Sequence, residues 1–144
     1  MTLVELLVVL GVIGLLVGLS VPALAGYARQ ARLKAATRQI VGLVTLARSM
    51  AISAHAEHAV VVDEERAEVR VVNAASGQAL ERVVHLPSNV TMALEVGGHP
   101  ATGSQLVFRP TGSLTGRTTS IVISDGKKQS VVRVIGTTGA ITVQ

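Results

Sequence analysis

The 144-residue chain contains no cysteine and no tryptophan, and its aromatic side chains are Tyr27 and Phe108 alone. Without thiols there is no disulfide staple, so any folded part must hold itself together by packing. Two rings are too few for the stacking platforms that bind single-stranded nucleic acid, and too few for a relay of stacked rings that conducts electrons. Hydrophobic residues nevertheless make up 49% of the chain. Its core must therefore be built from Val, Ile, Leu and Ala. Acids are absent from residue 6 to residue 56, and no Lys or Arg precedes Arg29. Recognisable catalytic patterns are lacking too. No Ser/His/Asp set has a nucleophile context and no Gly-rich loop has phosphate-binding spacing. Neither an enzyme nor a cofactor is implied.

What is present begins at the first residue. Residues 1–25, Met-Thr-Leu-Val-Glu-Leu-Leu-Val-Val-Leu-Gly-Val-Ile-Gly-Leu-Leu-Val-Gly-Leu-Ser-Val-Pro-Ala-Leu-Ala, form an apolar run with one charge, Glu5. Roughly 20 such residues in a helix span a bilayer. A carboxylate inside lipid costs about 2.5–3.5 kcal/mol on insertion scales, so it calls for a partner. The natural one is the α-amino group of Met1 as a mature N-terminus, contributed by a neighbouring subunit. A cleaved secretory signal, with Pro22-Ala-Leu-Ala-Gly26 as its processing site, is the competing reading. Glu5 and the absence of a basic segment before the run argue against it.

Beyond Pro22 the period stays helical. Leu33, Ala36, Ile40, Val44, Ala47 and Ala51 recur at helical spacing, with Arg29, Arg32, Lys34, Arg38 and Thr45 largely elsewhere. One helix is expected over 2–54, about 80 Å long at 1.5 Å per residue. Gly14 and Gly18 form a small-xxx-small pair that lets membrane helices approach closely. With Ser20 and Pro22 they also weaken the helix, since Gly costs about 1 and interior Pro about 3 kcal/mol.

From residue 59 the period changes to two. Strands are expected at 59–63, 68–73, 82–86, 90–95, 106–109, 120–124, 130–135 and 140–143, separated by turn signals such as Gly97-Gly98 and Asp125-Gly126. The fold class is thus α+β, a long N-terminal helix packed on a C-terminal domain of antiparallel sheet. Its expected divisions are 1–25 as apolar helix, 26–56 as its amphipathic continuation, and 57–144 as the β domain. His55-Ala-Glu57-His58 reads as a loop-facing pair of histidines rather than a metal site, because the zincin spacing is absent. Asp63, Glu64, Glu65 and Glu68 read as a solvated hairpin turn, lacking the alternating oxygen ligands of a calcium loop.

Met-Thr-Leu-Val-Glu-Leu followed by an apolar stretch and Pro22 resembles the processed N-terminus of type IV pilins and type II secretion pseudopilins. Leu46-Ala-Arg-Ser-Met-Ala-Ile52, Phe108-Arg-Pro-Thr-Gly112 and Gly126 before the closing strands are similar to the GspH/FimT-like, or H-type, branch of that superfamily. Met1 stands where the family usually has Phe. The resemblance implies removal of a basic leader, N-methylation of Met1, and pairing of Glu5 with a neighbour's N-terminal amine in a helical filament. It implies local melting of the stem between Gly14 and Pro22 on assembly. Implied partners are copies of the chain or other pilins, and the inner membrane, crossed once, before assembly. The destination is then a periplasmic pseudopilus or an extracellular pilus. Many type IV pilins close a C-terminal loop with a disulfide, which this chain cannot form. Two alternatives accompany this reading, a minor tip or initiator pseudopilin of a type II secretion system and a DNA-binding minor pilin for DNA uptake. For the latter, a sequence pI near 10.4 and the cations Arg117, Lys127, Lys128 and Arg133 are the attraction. The tail from Gly136 to Gln144 carries no basic residue, unlike DNA receptors of the branch, so nucleic acid is not the favoured partner.

Overall fold

The computed structural model describes residues 2–101 and 105–144, with the side chains of all of these except 19–23, 25, 81 and 82. A single helix, α1, spans Leu3–Ser53. Among the described residues nine strands follow: β1 (His58–Asp63), β2 (Glu68–Asn73), β3 (Ala79–His85), β4 (Thr91–Val96), β5 (His99–Pro100), β6 (Gln105–Phe108), β7 (Thr119–Ser124), β8 (Gln129–Val134) and β9 (Ile141–Val143). The chain divides into two compact units, Met1–Arg32 and Leu33–Gln144.

In the first unit the side chains from Leu3 to Val17 remain exposed, from 76% at Leu3 to 49% at Val9. Among the described residues no helix is long and apolar enough to cross a membrane. The side chains described without interruption in the apolar run end at Gly18, and Ser20 and Pro22 are known here only by their helical backbone.

The second unit is organised by the stripe that helical spacing puts on one side of α1. Leu33, Ala36, Ile40, Leu43, Val44, Ala47 and Ala51 are all buried. They pack into one cluster with Val60, Val62, Val69, Val71, Leu94, Leu106, Phe108, Ile121, Ile123, Val132 and Val134. Most strand members of that cluster alternate with residues facing away, as the pleat requires. Phe108 is among its largest fully buried side chains. α1 ends where His55 adopts φ +49°, a left-handed conformation that cannot continue the helix.

The strands form two antiparallel sheets. The first has the order β3-β2-β1-β6 and the second β5-β4-β7-β8-β9. The expected helix-on-antiparallel-sheet architecture is thus present, with three differences of detail. β3 begins three residues before the expected start at 82, pairing Ala79 with Val72 across a register shift in β2–β3. β5 was not expected; it is two residues long, folded back on Glu95 and Val96 by the Gly97-Gly98 turn. His58 is not loop-facing. It opens β1 on the same side as Val60 and Val62, is buried, and its Nδ1 lies 3.0 Å from the Ala56 carbonyl oxygen.

A carboxylate ties the two sheets together. Glu64, in the β1–β2 turn, accepts the backbone N–H of Leu94 at 3.1 Å. Leu94 lies on β4 beside the short β5, where its carbonyl takes the N–H of Ala101. A free strand edge there would otherwise expose its hydrogen-bonding groups.

Candidate functional site

The start of α1 is the first candidate. Met1, with its amine, lies outside the described residues. Thr2 and Glu5 lie within them. The Glu5 backbone N–H donates to Thr2 Oγ1 at 3.3 Å, and the Thr2 N–H donates to Glu5 Oε2 at 3.4 Å. This reciprocal pair is a capping box, the Thr-x-x-Glu pattern that satisfies the orphan N–H groups of a helix start. The sequence reading missed it, although the pattern Thr2-Leu-Val-Glu5 was there to be seen. Glu5 therefore has a role within its own chain, and its carboxylate is held at the end of the helix where negative charge is favoured.

Gly14 and Gly18 sit one turn apart in uninterrupted helix. A Cβ added at either would meet nothing within 4 Å. They leave an open, shallow strip among exposed Leu, Val and Ile. Pro22 is within the helical span, and its side chain lies outside the described residues.

The second candidate is a junction at the far end of α1, also missed in the sequence. Arg48 Nε donates to the Gly112 carbonyl at 3.0 Å, and its Nη2 donates to the Thr138 carbonyl at 3.2 Å. Gly112 and Gly139 both have positive φ, +81° and +64°. A Cβ at Gly112 would come within 2.9 Å of Ile52 Cδ1, and one at Gly139 would collide with the Gly112 carbonyl oxygen. At Gly139 the backbone contact leaves room for glycine alone, and at Gly112 the positive φ favours it. Two of the segments that carried the family resemblance past the stem, 46–52 and 108–112, thus meet around one guanidinium together with the turn at 138–139, while Gly126 lies elsewhere, in the β7–β8 turn.

The four cations considered for DNA are distributed along the β7–β8 hairpin, from the residues just before β7 to its loop and to β8. Lys127 and Lys128 lie in the β7–β8 loop, where Asp125 Oδ1 accepts both of their backbone N–H groups at 2.9 and 2.7 Å. Arg133 is four residues along β8 from Gln129, about 13 Å at 3.3 Å per residue. Its register partner is Ser120, which pairs on its other side with Glu95, so a carboxylate occupies the same row. Arg117 packs near the Gly97 turn. It borders a shallow open cleft of about 330 Å³, lined also by Val96, Gln105, Val107, Thr115 and Thr119. Among these lining residues Arg117 is the one ionisable group, which provides no acid–base pair.

The other acids have local work. Asp63 Oδ1 accepts the Arg66 N–H at 3.0 Å, and Glu68 Oε1 lies 3.2 Å from His85 Nδ1. Among the described residues no three His, Asp or Glu side chains converge as a metal site would require.

The sequence model of the family described as "Type II transport protein GspH" matches residues 36–139. No curated protein sequence matches the chain. Solved structures of two further proteins are among those that share its fold. The type IV minor pilin FimU of Pseudomonas aeruginosa superposes with a TM-score of 0.66 at 18% identity, over 82% of this chain and 92% of FimU. The minor pseudopilin EpsH of the Vibrio cholerae type 2 secretion system superposes with a TM-score of 0.64 at 16% identity, over 78% of this chain and 94% of EpsH. With the family match covering most of the chain and the helix-on-two-sheets architecture shared with both pilin-like structures, the protein belongs to the GspH family of type II transport proteins.

Proposed function

We propose that the chain is a structural subunit of a pilus or pseudopilus. It resides in the inner membrane through its N-terminal helix and assembles from there into a helical filament, in contact with further copies of itself and with other pilins. It performs no reaction. The observation that carries this reading is the first unit, whose Leu, Val and Ile side chains between residues 3 and 17 stay about half exposed or more and whose one acid is Glu5. Apolar surface of that extent needs a cover. Lipid supplies it before assembly and neighbouring helices supply it afterwards, at about 25 cal/mol per Å² for surface removed from water.

In this reading Glu5 leaves its capping box to meet a neighbour's N-terminal amine at Met1. Gly14, Gly18 and Pro22 supply the close-packing strip and the weak stretch of helix that melts on assembly. The β domain faces outward, into the periplasm or beyond the cell. A second reading, a minor subunit placed among an abundant different pilin, is favoured by FimU and EpsH both being minor components. Mass spectrometry of the N-terminal peptide with subunit counting, on filaments sheared from native cells, decides the matter. N-methylated Met1 in filaments composed mainly of this chain supports the repeating subunit. The same peptide at trace level beside another pilin supports the minor role. Absence of the chain from every filament removes both.

A further inference from the structure

The charges of the chain are sorted by segment. Residues 1–56 hold five basic residues and one acid, residues 57–68 hold five acids and one basic residue, and residues 69–144 hold seven basic residues and three acids. A positive helix is therefore followed by a strongly negative β1–β2 hairpin. Arg66 pairs with Asp63 and His85 lies against Glu68, both contacts away from the helix.

Lys34 and Arg38 are one turn apart on the side of α1 opposite the buried stripe, and both are exposed. The same side continues with exposed Gly42 and Thr45, and the Thr45 hydroxyl is already satisfied by the Val41 carbonyl at 2.7 Å. In the hairpin turn, Asp63 and Glu64 are held by backbone N–H groups, which fixes the turn, while Glu65 is exposed and projects from it with no ion partner among the described residues. Bringing many copies of a positive helix side by side is self-repelling unless an opposite charge accompanies each one.

We propose that the Lys34/Arg38 side of α1 is a docking surface for the acidic β1–β2 turn of a second copy of this chain, with Glu65 as the principal partner of Arg38. The inference rests on the filament reading above and names a contact within it. The surface is self-complementary in a head-to-tail sense, since the helix of one copy meets the hairpin of the next and both patches are used once per subunit. Such a heterologous contact repeats without closing, as a filament requires. Opposed charges at the rim of an interface set register and partner choice more than they set affinity.

The test is a reciprocal charge exchange in the full-length chain, expressed in cells whose filaments can be sheared and counted. If the wild-type chain is absent from filaments, the filament reading fails and this contact fails with it. With the wild type present, Arg38→Glu alone and Glu65→Lys alone should each reduce incorporation roughly five- to tenfold, because each places like charges together. The combination of the two should recover incorporation to within about twofold of wild type, the signature of a direct pair. Circular dichroism of each variant checks that the exposed substitutions leave the fold intact. Since the chain has no cysteine, Arg38→Cys with Glu65→Cys gives an independent readout. A short bismaleimide should produce a ladder of covalent multimers from filaments, and neither single variant should. Losses that add in the combination, or filaments that contain the chain and give no ladder, overturn the contact. A loss with Arg38→Glu and none with Glu65→Lys assigns the helix surface to other anions, such as lipid headgroups, and overturns it as well.

Discussion

The guanidinium of Arg48 reaches the Gly112 carbonyl at 3.0 Å, across 64 residues of intervening chain. With its second bond to Thr138 it holds the turn after β6 and the turn before β9 against the same stretch of helix. Arg48→Ala leaves the buried Gly112 carbonyl without its charged donor, at about 1–3 kcal/mol, while at the exposed Thr138 carbonyl water replaces the lost bond. Urea unfolding of the detergent-solubilised chain should show the lower midpoint. Arg48→Lys should recover only part of the loss, since an ammonium cannot reproduce the planar fork that reaches both oxygens.

Gly139→Ala should cost more than Arg48→Ala. The new methyl group meets the Gly112 carbonyl oxygen, and φ +64° adds about 1–2 kcal/mol for any residue with a Cβ. The same unfolding measurement orders the two. Equal midpoints would show that the loop shifts aside freely.

At the other end of α1, Glu5→Gln separates two roles of one side chain. Glutamine completes a capping box as glutamate does, so the first turn should stay protected from amide exchange. Assembly into filaments should fall, because the charge offered to a neighbour is gone. Thr2→Ala should do the reverse at the helix start, fraying the first turn by about 0.5–2 kcal/mol. Filament yield and exchange at residues 2–6, measured on both variants, check the assignment. Normal filaments from Glu5→Gln would mean that capping is the whole role of Glu5.

Glu64→Ala should expose the Leu94 amide without disturbing the hairpin itself, since Asp63 rather than Glu64 caps the turn. Faster hydrogen exchange at Leu94, with a loss of about 1–3 kcal/mol, is the expected result.

Much of the architecture was legible because burial on one side imposes a period. The stripe from Leu33 to Ala51 and most strands follow from it, since a residue that faces away from the core is released from being apolar. β5 was not legible. Two residues, one of them proline, give no alternation to detect. Nor does alternation say which strands lie side by side, so the placing of β6 next to β1 rather than next to β4 had no sequence signal. The burial of His58 follows from its position in register with Val60 and Val62, once the start of β1 is known. At the site, Glu5 stood out as a lone charge in an apolar run. The Arg48 junction did not, because its parts are spread over 46–52, 108–112 and 138–139 and only folding brings them together.

The junction also decides in what surroundings the protein can mature. Its closing turns are fastened by an arginine and two backbone carbonyls in a chain without sulfhydryl groups. Neither an oxidising compartment nor an isomerase is needed to complete it, and reducing agents have nothing to cleave. The closure of these turns is therefore independent of the redox potential around the protein.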